Sequence, residues 1–219
     1  MQRIVWDFDG TLVDSRPLIK AGMDHALGLL GLAGRADIQE AWLRNVGLPV
    51  EQGLQNTFEP VGLDPGEVLK VYRSFDWLGN EHLLQPFPGM RDLVAELSEL
   101  GHPQSIATSK RALPLRRQLA GLGWEGRFDP IMTPDDVTRA KPHPESLQRI
   151  LQATGEAPED LIMVGDTPFD LEMARAAGVP AVGIGHGFYD TGALAACGPR
   201  ACAADVEALR DILLAWSRP

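Results

Sequence analysis

Residues 6–15, WDFDGTLVDS, follow an apolar run at the start of the chain and carry two carboxylates two positions apart. Positions i and i+2 of an extended strand point to the same side, so Asp7 and Asp9 can both project from a strand end while Gly10 turns the chain behind them. Two acids this close repel each other, and a bound cation such as Mg2+, which prefers carboxylate and water oxygens, would remove that repulsion. A plain turn at Asp9-Gly10, with Thr11 as the N-cap of a helix, explains the bare pair comparably well.

The complete string is more specific than the pair of acids. It resembles DxDGT, the first motif of the haloacid dehalogenase (HAD) superfamily, in the form DFDGTLVDS that is common among the phosphatases of that superfamily. The resemblance implies that Asp7 is a nucleophile and that Asp9 is a general acid and base. It also implies that three further motifs follow in order over roughly the next 150 residues.

Two later segments match the second and third motifs. A hydroxyl residue is expected after a buried strand, and Thr108 takes that place, where its hydroxyl and nearby backbone amides can donate to phosphoryl oxygens. Ser109, at the position where the family often has asparagine, is assigned a supporting role. A lysine is expected before a helix, and KPHPE, residues 141–145, fits the family pattern K-P-x-P. Lys141 would pair with Asp7 and with the phosphoryl group.

The fourth motif matches VGDTPFD, residues 164–170, in which a hydrophobic strand ends at a glycine and two acids follow. By resemblance, Asp166 binds the metal and Asp170 supports it, either through water or through the Lys141 ammonium. Taken alone, each acid also suits the first turn of a helix, Asp166 as an N-cap and Asp170 as a first-turn acid. The occurrence of all four motifs in order favours the catalytic interpretation.

The resemblance implies a Mg2+ site and a phosphoryl-transfer reaction. The implied metal ligands are Asp7, Asp166 and the backbone carbonyl of Asp9, with Gly10 as a supporting residue. Mg2+ would neutralise the non-bridging phosphoryl oxygens. Dehalogenases of the superfamily generally lack the second acid, so Asp9 argues against dehalogenation.

The pattern of apolar residues predicts an α/β fold with an inserted helical unit. From residue 17 to about residue 77 only helical spacing is found, which resembles the C1-type cap of HAD phosphatases on hinges near Ser15 and Pro86. We therefore predict a core domain of residues 1–15 and 86–219 and a cap domain of residues 16–85. In the core, strands alternate with helices, which predicts a Rossmann-like, doubly wound parallel sheet.

Several finer predictions accompany this fold. A second cap helix is expected around Ala41 to Val46, ended by Gly47-Leu48-Pro49, and a strand over residues 128–132. Residues 185–204 are expected to form a loop with a short strand at 201–203. Within them, His186-Gly187 follows a strand end and borders the site or, as the favoured alternative, belongs to a surface loop. Lys110-Arg111 should begin a helix near the site, and one of these cations should matter.

The choice of substrate is expected to depend on the cap. Residues 44–49, RNVGLP, resemble a cap loop of phosphoglycolate phosphatase-like members, so Arg44 or the Gly47 backbone could approach the leaving group. The alternative is a helix C-terminus, with Arg44 complementing the helix dipole and Gly47 as the C-cap.

Three functions remain open at this stage. The favoured one is a Mg2+-dependent phosphatase that hydrolyses a small-molecule phosphomonoester, possibly 2-phosphoglycolate, through an aspartyl-phosphate. A β-phosphoglucomutase-type mutase usually has a histidine on the cap's entry helix, where this chain has Ile19. A non-catalytic binding protein on the same fold would be expected to have lost Asp7, Asp9 or Lys141.

Composition sets outer limits on partners and location. The net charge of −10 argues against binding to nucleic acid or to an anionic membrane, and no apolar run is long enough to span a bilayer. Cys197 and Cys202 form no CxxC pattern and are expected to be unpaired thiols. Because the first strand is predicted almost at the start of the sequence, we expect no signal peptide. We expect a cytoplasmic monomer or homodimer.

Overall fold

A central parallel sheet organises the structure, a computed structural model that describes residues 1–216. The strands are β1 (Arg3–Trp6), β2 (Val13–Asp14), β3 (Gln85–Pro86), β4 (Gln104–Ala107), β5 (Ile131–Met132), β6 (Leu161–Gly165), β7 (Ala181–Ile184) and β8 (Ala201–Ala203). The helices are α1 (Arg16–Leu29), α2 (Ala36–Leu43), α3 (Val50–Phe58), α4 (Pro65–Arg73), α5 (Met90–Glu99), α6 (Ala112–Gly121), α7 (Glu145–Thr154), α8 (Pro168–Ala177), α9 (Thr191–Ala195) and α10 (Val206–Trp216).

The strand order in the main sheet is β5-β4-β1-β6-β7-β8, and every neighbouring pair is parallel. Strand β1 lies in the middle, with Trp6 in register with Ile106 of β4 and Val164 of β6. All three strands therefore reach the same edge of the sheet at the same level. This architecture confirms the predicted doubly wound α/β fold, which places functional residues beyond the carboxyl ends of its strands.

Helices cover both faces of the sheet, which explains why β1, β4 and β6 are buried along their whole length. On one face, α5 and α10 contribute Leu97 and Leu209 to a large apolar cluster. On the other face, α7 and α8 contribute Ile150 and Met173 to a second cluster. The two layers hold the central strands in place on both sides.

The helices α1 to α4 form a separate apolar cluster that includes Met23, Trp42, Leu54 and Phe58. The connections between these helices and the sheet run side by side, because β2 pairs with β3 in an antiparallel ladder. We call residues 16–85 the cap and the rest of the described chain the core. No helix within residues 1–216 combines the length and the apolar character that a membrane span requires.

The second cap helix covers Ala36–Leu43, so it includes Ala41 and Leu43 but begins earlier than predicted and stops before Val46. It ends earlier because Gly47 has a φ of +105° and the chain turns before it, with the amide of Asn45 bonded to the Trp42 carbonyl. The apolar character of Val46, which suggested a longer helix, arises from another cause, since Val46 lines a cavity.

Two core predictions also need correction. The strand expected over residues 128–132 contains only Ile131–Met132, because Pro130 has no N–H to donate to the sheet. The segment 185–204 contains the expected strand at Ala201–Ala203, but it also contains helix α9. The side chain of Asp190 begins that helix by accepting from the amide of Ala193 at 2.8 Å.

Candidate active site

Four polar side chains converge at the carboxyl edge of the sheet. Asp7 follows β1, Thr108 follows β4 and Asp166 follows β6, so the register of these strands brings them together. Lys141 enters from the loop that precedes α7. Asp7, Lys141 and Asp166 are almost completely buried, with 2%, 2% and 0% of their surface exposed. The four segments found in the sequence therefore meet in one place.

Lys141 bridges two of the acids. Its ammonium lies 2.8 Å from Asp7 Oδ1 and 2.5 Å from Asp170 Oδ1. The other oxygen of Asp170 accepts from the amide and the hydroxyl of Thr167 at 3.1 and 2.7 Å, which caps the start of α8. The sequence left open whether Asp170 supports the metal through water or through the Lys141 ammonium. The structure contains the direct contact with the ammonium.

Both carboxylate oxygens of Asp166 have a hydrogen-bond donor. The Thr11 hydroxyl donates to Oδ1 at 2.8 Å and the Phe188 amide donates to Oδ2 at 2.7 Å. His186 Nε2 donates to the Thr11 carbonyl at 3.0 Å, so the loop after β7 is tied to the first motif. The interpretation of His186-Gly187 as a surface loop is therefore wrong. Phe188 was missed from the sequence, and the position of its loop after a strand's carboxyl end was the available signal.

The buried charges do not balance. Burial raises the pKa of Asp7 to about 7, although Lys141 opposes this. Burial and then the charges of Asp7 and Asp170 also raise the pKa of Asp166 well above its usual value. Burial opposes the charged form of Lys141, but Asp170 and Asp7 outweigh it and raise the pKa of its ammonium. One cation thus faces three buried carboxyl groups.

This arrangement fits a divalent cation. Oxygens of Asp7, Asp166 and Asp170 all lie within 4.8 Å of one another. Buried carboxylate oxygens in excess of the available positive charge are the donor set that Mg2+ prefers. Asp170 already accepts three hydrogen bonds, one of them from the Lys141 ammonium, whereas Asp166 has one neutral donor on each oxygen and Asp7 has the Lys141 contact alone. Asp7 and Asp166 are therefore the side chains better placed to act as ligands.

Asp9 points away from this cluster and toward a cavity. Its Oδ1 lies 2.8 Å from the ammonium of Lys110, which also lies over the Phe8 ring at 5.2 Å from the centroid. Arg111 instead pairs with Asp135 at 3.3 Å. Of the two neighbouring cations singled out in the sequence, Lys110 is the one in contact with a motif residue.

The cavity has a volume of about 330 Å³ and lies between the cap and the core. Asp7, Asp9, Thr108 and Ser109 line its core end. The Ser109 hydroxyl donates to the carbonyl of Gly47 in the cap at 2.6 Å, so the two units touch beside the site.

Arg44 does not belong to the cavity lining. It is the C-cap residue of α2, and its carbonyl accepts a hydrogen bond from the Tyr189 hydroxyl at 2.6 Å. Gly47 does line the cavity, and a Cβ there would lie 2.9 Å from the Thr167 hydroxyl oxygen. The predicted cap loop therefore reaches the core, but through backbone atoms.

Comparison with known proteins identifies the family of the chain. The family model for haloacid dehalogenase-like hydrolases matches residues 4–184. A pyrophosphatase PpaX from Halalkalibacterium halodurans is 30% identical over 84% of this chain and 83% of its own length. A phosphoglycolate phosphatase from Pectobacterium atrosepticum is 31% identical over 84% of this chain and 80% of its own length.

The solved structures agree on the fold. A haloacid dehalogenase-like family hydrolase from Streptococcus pneumoniae superposes with a TM-score of 0.82 and 28% identity, covering 100% of this chain and 99% of the other. The chain belongs to the haloacid dehalogenase-like hydrolase family, as its motifs predicted. It is an enzyme of the phosphatase type found in that family.

Proposed function

We propose that this protein is a Mg2+-dependent phosphatase that hydrolyses a small-molecule phosphomonoester through an aspartyl-phosphate on Asp7. The observation that carries the proposal is the convergence of Asp7, Lys141 and Asp166 in one buried cluster, whose Asp7 lines a cavity together with Asp9. Asp7 and Asp166 would hold Mg2+ together with the Asp9 carbonyl. When bound, Mg2+ supplies positive charge to the non-bridging phosphoryl oxygens.

In the first step a carboxylate oxygen of Asp7 bonds to phosphorus while the bond from phosphorus to the ester oxygen breaks. Asp9, which reaches this step protonated, gives its proton to the departing alkoxide, so the product leaves as an alcohol. The Lys110 ammonium, which contacts Asp9 at 2.8 Å, stabilises the carboxylate that results. Lys141 and the Thr108 hydroxyl hold the charge of the phosphoryl group during transfer. Because Lys141 already contacts Asp7 at 2.8 Å, the nucleophile is oriented before substrate arrives.

In the second step water releases the phosphate. Asp9, now a carboxylate, takes a proton from a water molecule whose oxygen bonds to phosphorus. The bond between phosphorus and the Asp7 oxygen breaks, which restores both acids to their starting states. The hydrogen bond from Ser109 to the Gly47 carbonyl brings the cap against the core beside Asp9, and a closed cap would limit the entry of other water molecules.

The named relatives support hydrolysis of a phosphate ester or anhydride, and 2-phosphoglycolate remains a candidate substrate. The mutase alternative gains no support from the cavity. Ile19 lines it at the position where mutases usually have a histidine. A non-catalytic role is also disfavoured, because Asp7, Asp9 and Lys141 are all retained.

The test is phosphate release from p-nitrophenyl phosphate and 2-phosphoglycolate, measured with Mg2+, with EDTA, and after Mg2+ is restored. We expect turnover that EDTA abolishes and Mg2+ recovers. Folded protein that releases no phosphate from a broad panel of monoesters would contradict the proposal, as would turnover that EDTA leaves unchanged.

The glycine of the first motif provides a second test, because Gly10 has no room for a side chain. A Cβ there would overlap the carboxylate of Asp166 and the ring of Phe188, and the φ of Gly10 is +82°. Gly10→Ala should displace the Asp166 carboxylate and lower turnover by about 10²-fold, with more Mg2+ needed for half-maximal rate.

Gly31→Ala is the matched control for this change. Gly31 has a similar φ of +71° but open space around it, so both variants carry the backbone strain and only Gly10→Ala disturbs Asp166. The measurement is the dependence of phosphate release on Mg2+ concentration in both variants. If Gly10→Ala and Gly31→Ala showed the same dependence on Mg2+, Gly10 would be needed only for the backbone turn and not for the position of Asp166.

A further inference from the structure

The cap side of the cavity is apolar. Among the described residues that line it, the cap contributes no charged side chain; its lining side chains are Leu18, Ile19, Trp42, Val46, Leu48, Val50, Tyr72 and Trp77. The Tyr72 hydroxyl adds no charge to this wall, because a phenol is neutral near pH 7 and here burial, and then the charge of Asp9, raise its pKa further. The part of a substrate that extends from the phosphoryl site toward the cap therefore meets hydrocarbon and aromatic rings.

The cations that line the cavity already have partners. Lys110 pairs with Asp9 at 2.8 Å, and Arg117 pairs with Glu81 at 2.7 Å. The third, Arg111, pairs with Asp135. A second anionic group on the substrate, such as a carboxylate or another phosphate, would have to break one of these ion pairs to be neutralised. With Asp9 in its carboxylate form, every cation of the described lining has an acidic partner.

Three of the cap rings form a continuous surface. The centroids of Trp42 and Tyr72 are 5.3 Å apart, and those of Tyr72 and Trp77 are 4.9 Å apart, both in edge-to-face arrangements. Trp77 is held in place because it packs directly on Gly22 of α1. An aromatic group on a substrate can extend such a cluster by the same edge-to-face contacts. The 330 Å³ volume lies at the small end of ligand cavities, which suits one or two rings.

We propose that the leaving group of the natural substrate is an uncharged alcohol that carries an aromatic ring, so that the enzyme selects aryl-bearing phosphomonoesters over substrates with a second anionic group, such as 2-phosphoglycolate. This inference rests on the phosphatase function proposed above and specifies its substrate class. The phosphoryl group binds beside Asp7 and Lys141, and the ring lies in the cavity against the wall that Trp42, Tyr72 and Trp77 form.

The test compares kcat/KM for 2-phenylethyl phosphate, ethyl phosphate and 2-phosphoglycolate with Mg2+ present. All three release an aliphatic alkoxide, so the comparison reports on the cavity more than on leaving-group chemistry. Burial of the phenyl ring should raise kcat/KM for 2-phenylethyl phosphate roughly 10- to 100-fold above ethyl phosphate. The value for 2-phosphoglycolate should also fall below that for 2-phenylethyl phosphate.

The second part of the test places a positive charge on the apolar wall of the cavity. Ile19→Lys, at a half-buried cavity position of α1, should lower kcat/KM for 2-phenylethyl phosphate at least about tenfold and raise it for 2-phosphoglycolate. Leu29→Lys adds the same charge to the same helix at a position that is 65% exposed and outside the cavity. This control should keep the wild-type order of substrates.

The outcomes separate the two proposals. The enzyme could hydrolyse p-nitrophenyl phosphate but show a higher kcat/KM for 2-phosphoglycolate than for 2-phenylethyl phosphate. That result would overturn the aryl inference and leave the phosphatase function intact. Equal values for 2-phenylethyl and ethyl phosphate would overturn it as well. If none of the four esters is hydrolysed by folded protein, the phosphatase proposal fails, and the inference about its substrate fails with it.

Discussion

Asp7→Asn is expected to reduce phosphate release by at least about 10⁴-fold while leaving the metal-free protein no less stable than the wild type. The rate falls because an amide cannot form the phosphoryl ester that the proposed mechanism requires. Stability is retained because one of three buried carboxyl groups around a single ammonium is neutralised, and Lys141 keeps its 2.5 Å contact with Asp170. Turnover with Mg2+ and the melting temperature in EDTA are the two measurements.

Adding Mg2+ should increase the difference in melting temperature between wild type and Asp7→Asn. Wild type should gain more thermal stability from Mg2+ than Asp7→Asn, because the variant lacks one of the implied ligands. Asp211→Asn removes the same charge from a side chain that is 74% exposed on α10, and it should change neither turnover nor the response to Mg2+. A melting temperature for metal-free Asp7→Asn several degrees below wild type would contradict the account of the buried charges.

The position of the site could be predicted because it depends on rules that act locally. A buried strand that ends in Asp7, and another that ends in Asp166, must deliver both acids to one edge once the sheet is parallel. Lys141 lies in a loop with two prolines before α7, and that setting was visible in the sequence. The meeting of Asp7 and Asp166 therefore follows from the order of the strands, whereas the contact of Lys141 with Asp7 was implied by the resemblance to the HAD superfamily.

The rest of the site depends on contacts between distant parts of the chain. The Phe188 amide that holds Asp166 comes from the loop after β7, and no spacing in the sequence relates the two. The bond of Lys110 to Asp9 joins residues 101 positions apart. Val46 was read as part of a helix face, whereas it lines the cavity. An apolar residue facing a substrate site cannot be told from a core residue by periodicity alone.

Lys141→Ala is expected to be the most destabilising single change at the site. It would leave Asp7, Asp166 and Asp170 buried with no ammonium between them, and removal of one partner from a buried charge cluster costs about 3–5 kcal/mol. For a protein of this size that corresponds to a melting temperature lower by about 10 °C in EDTA. The rate of phosphate release should fall by at least about 10³-fold even in protein that is folded, because the phosphoryl charge loses its buried cation.

The cause of the destabilisation can be separated from a general loss of packing. Adding Asp170→Asn to Lys141→Ala removes one of the uncompensated charges, so the double variant should recover part of the melting temperature while remaining inactive. Lys70→Ala removes a lysine whose side chain is 72% exposed, and its effect should stay within about 1 kcal/mol. If Lys141→Ala melts at the wild-type temperature in EDTA, the three acids do not repel one another in the folded protein. The Lys141 ammonium would then serve the phosphoryl group alone, and only the rate would depend on it.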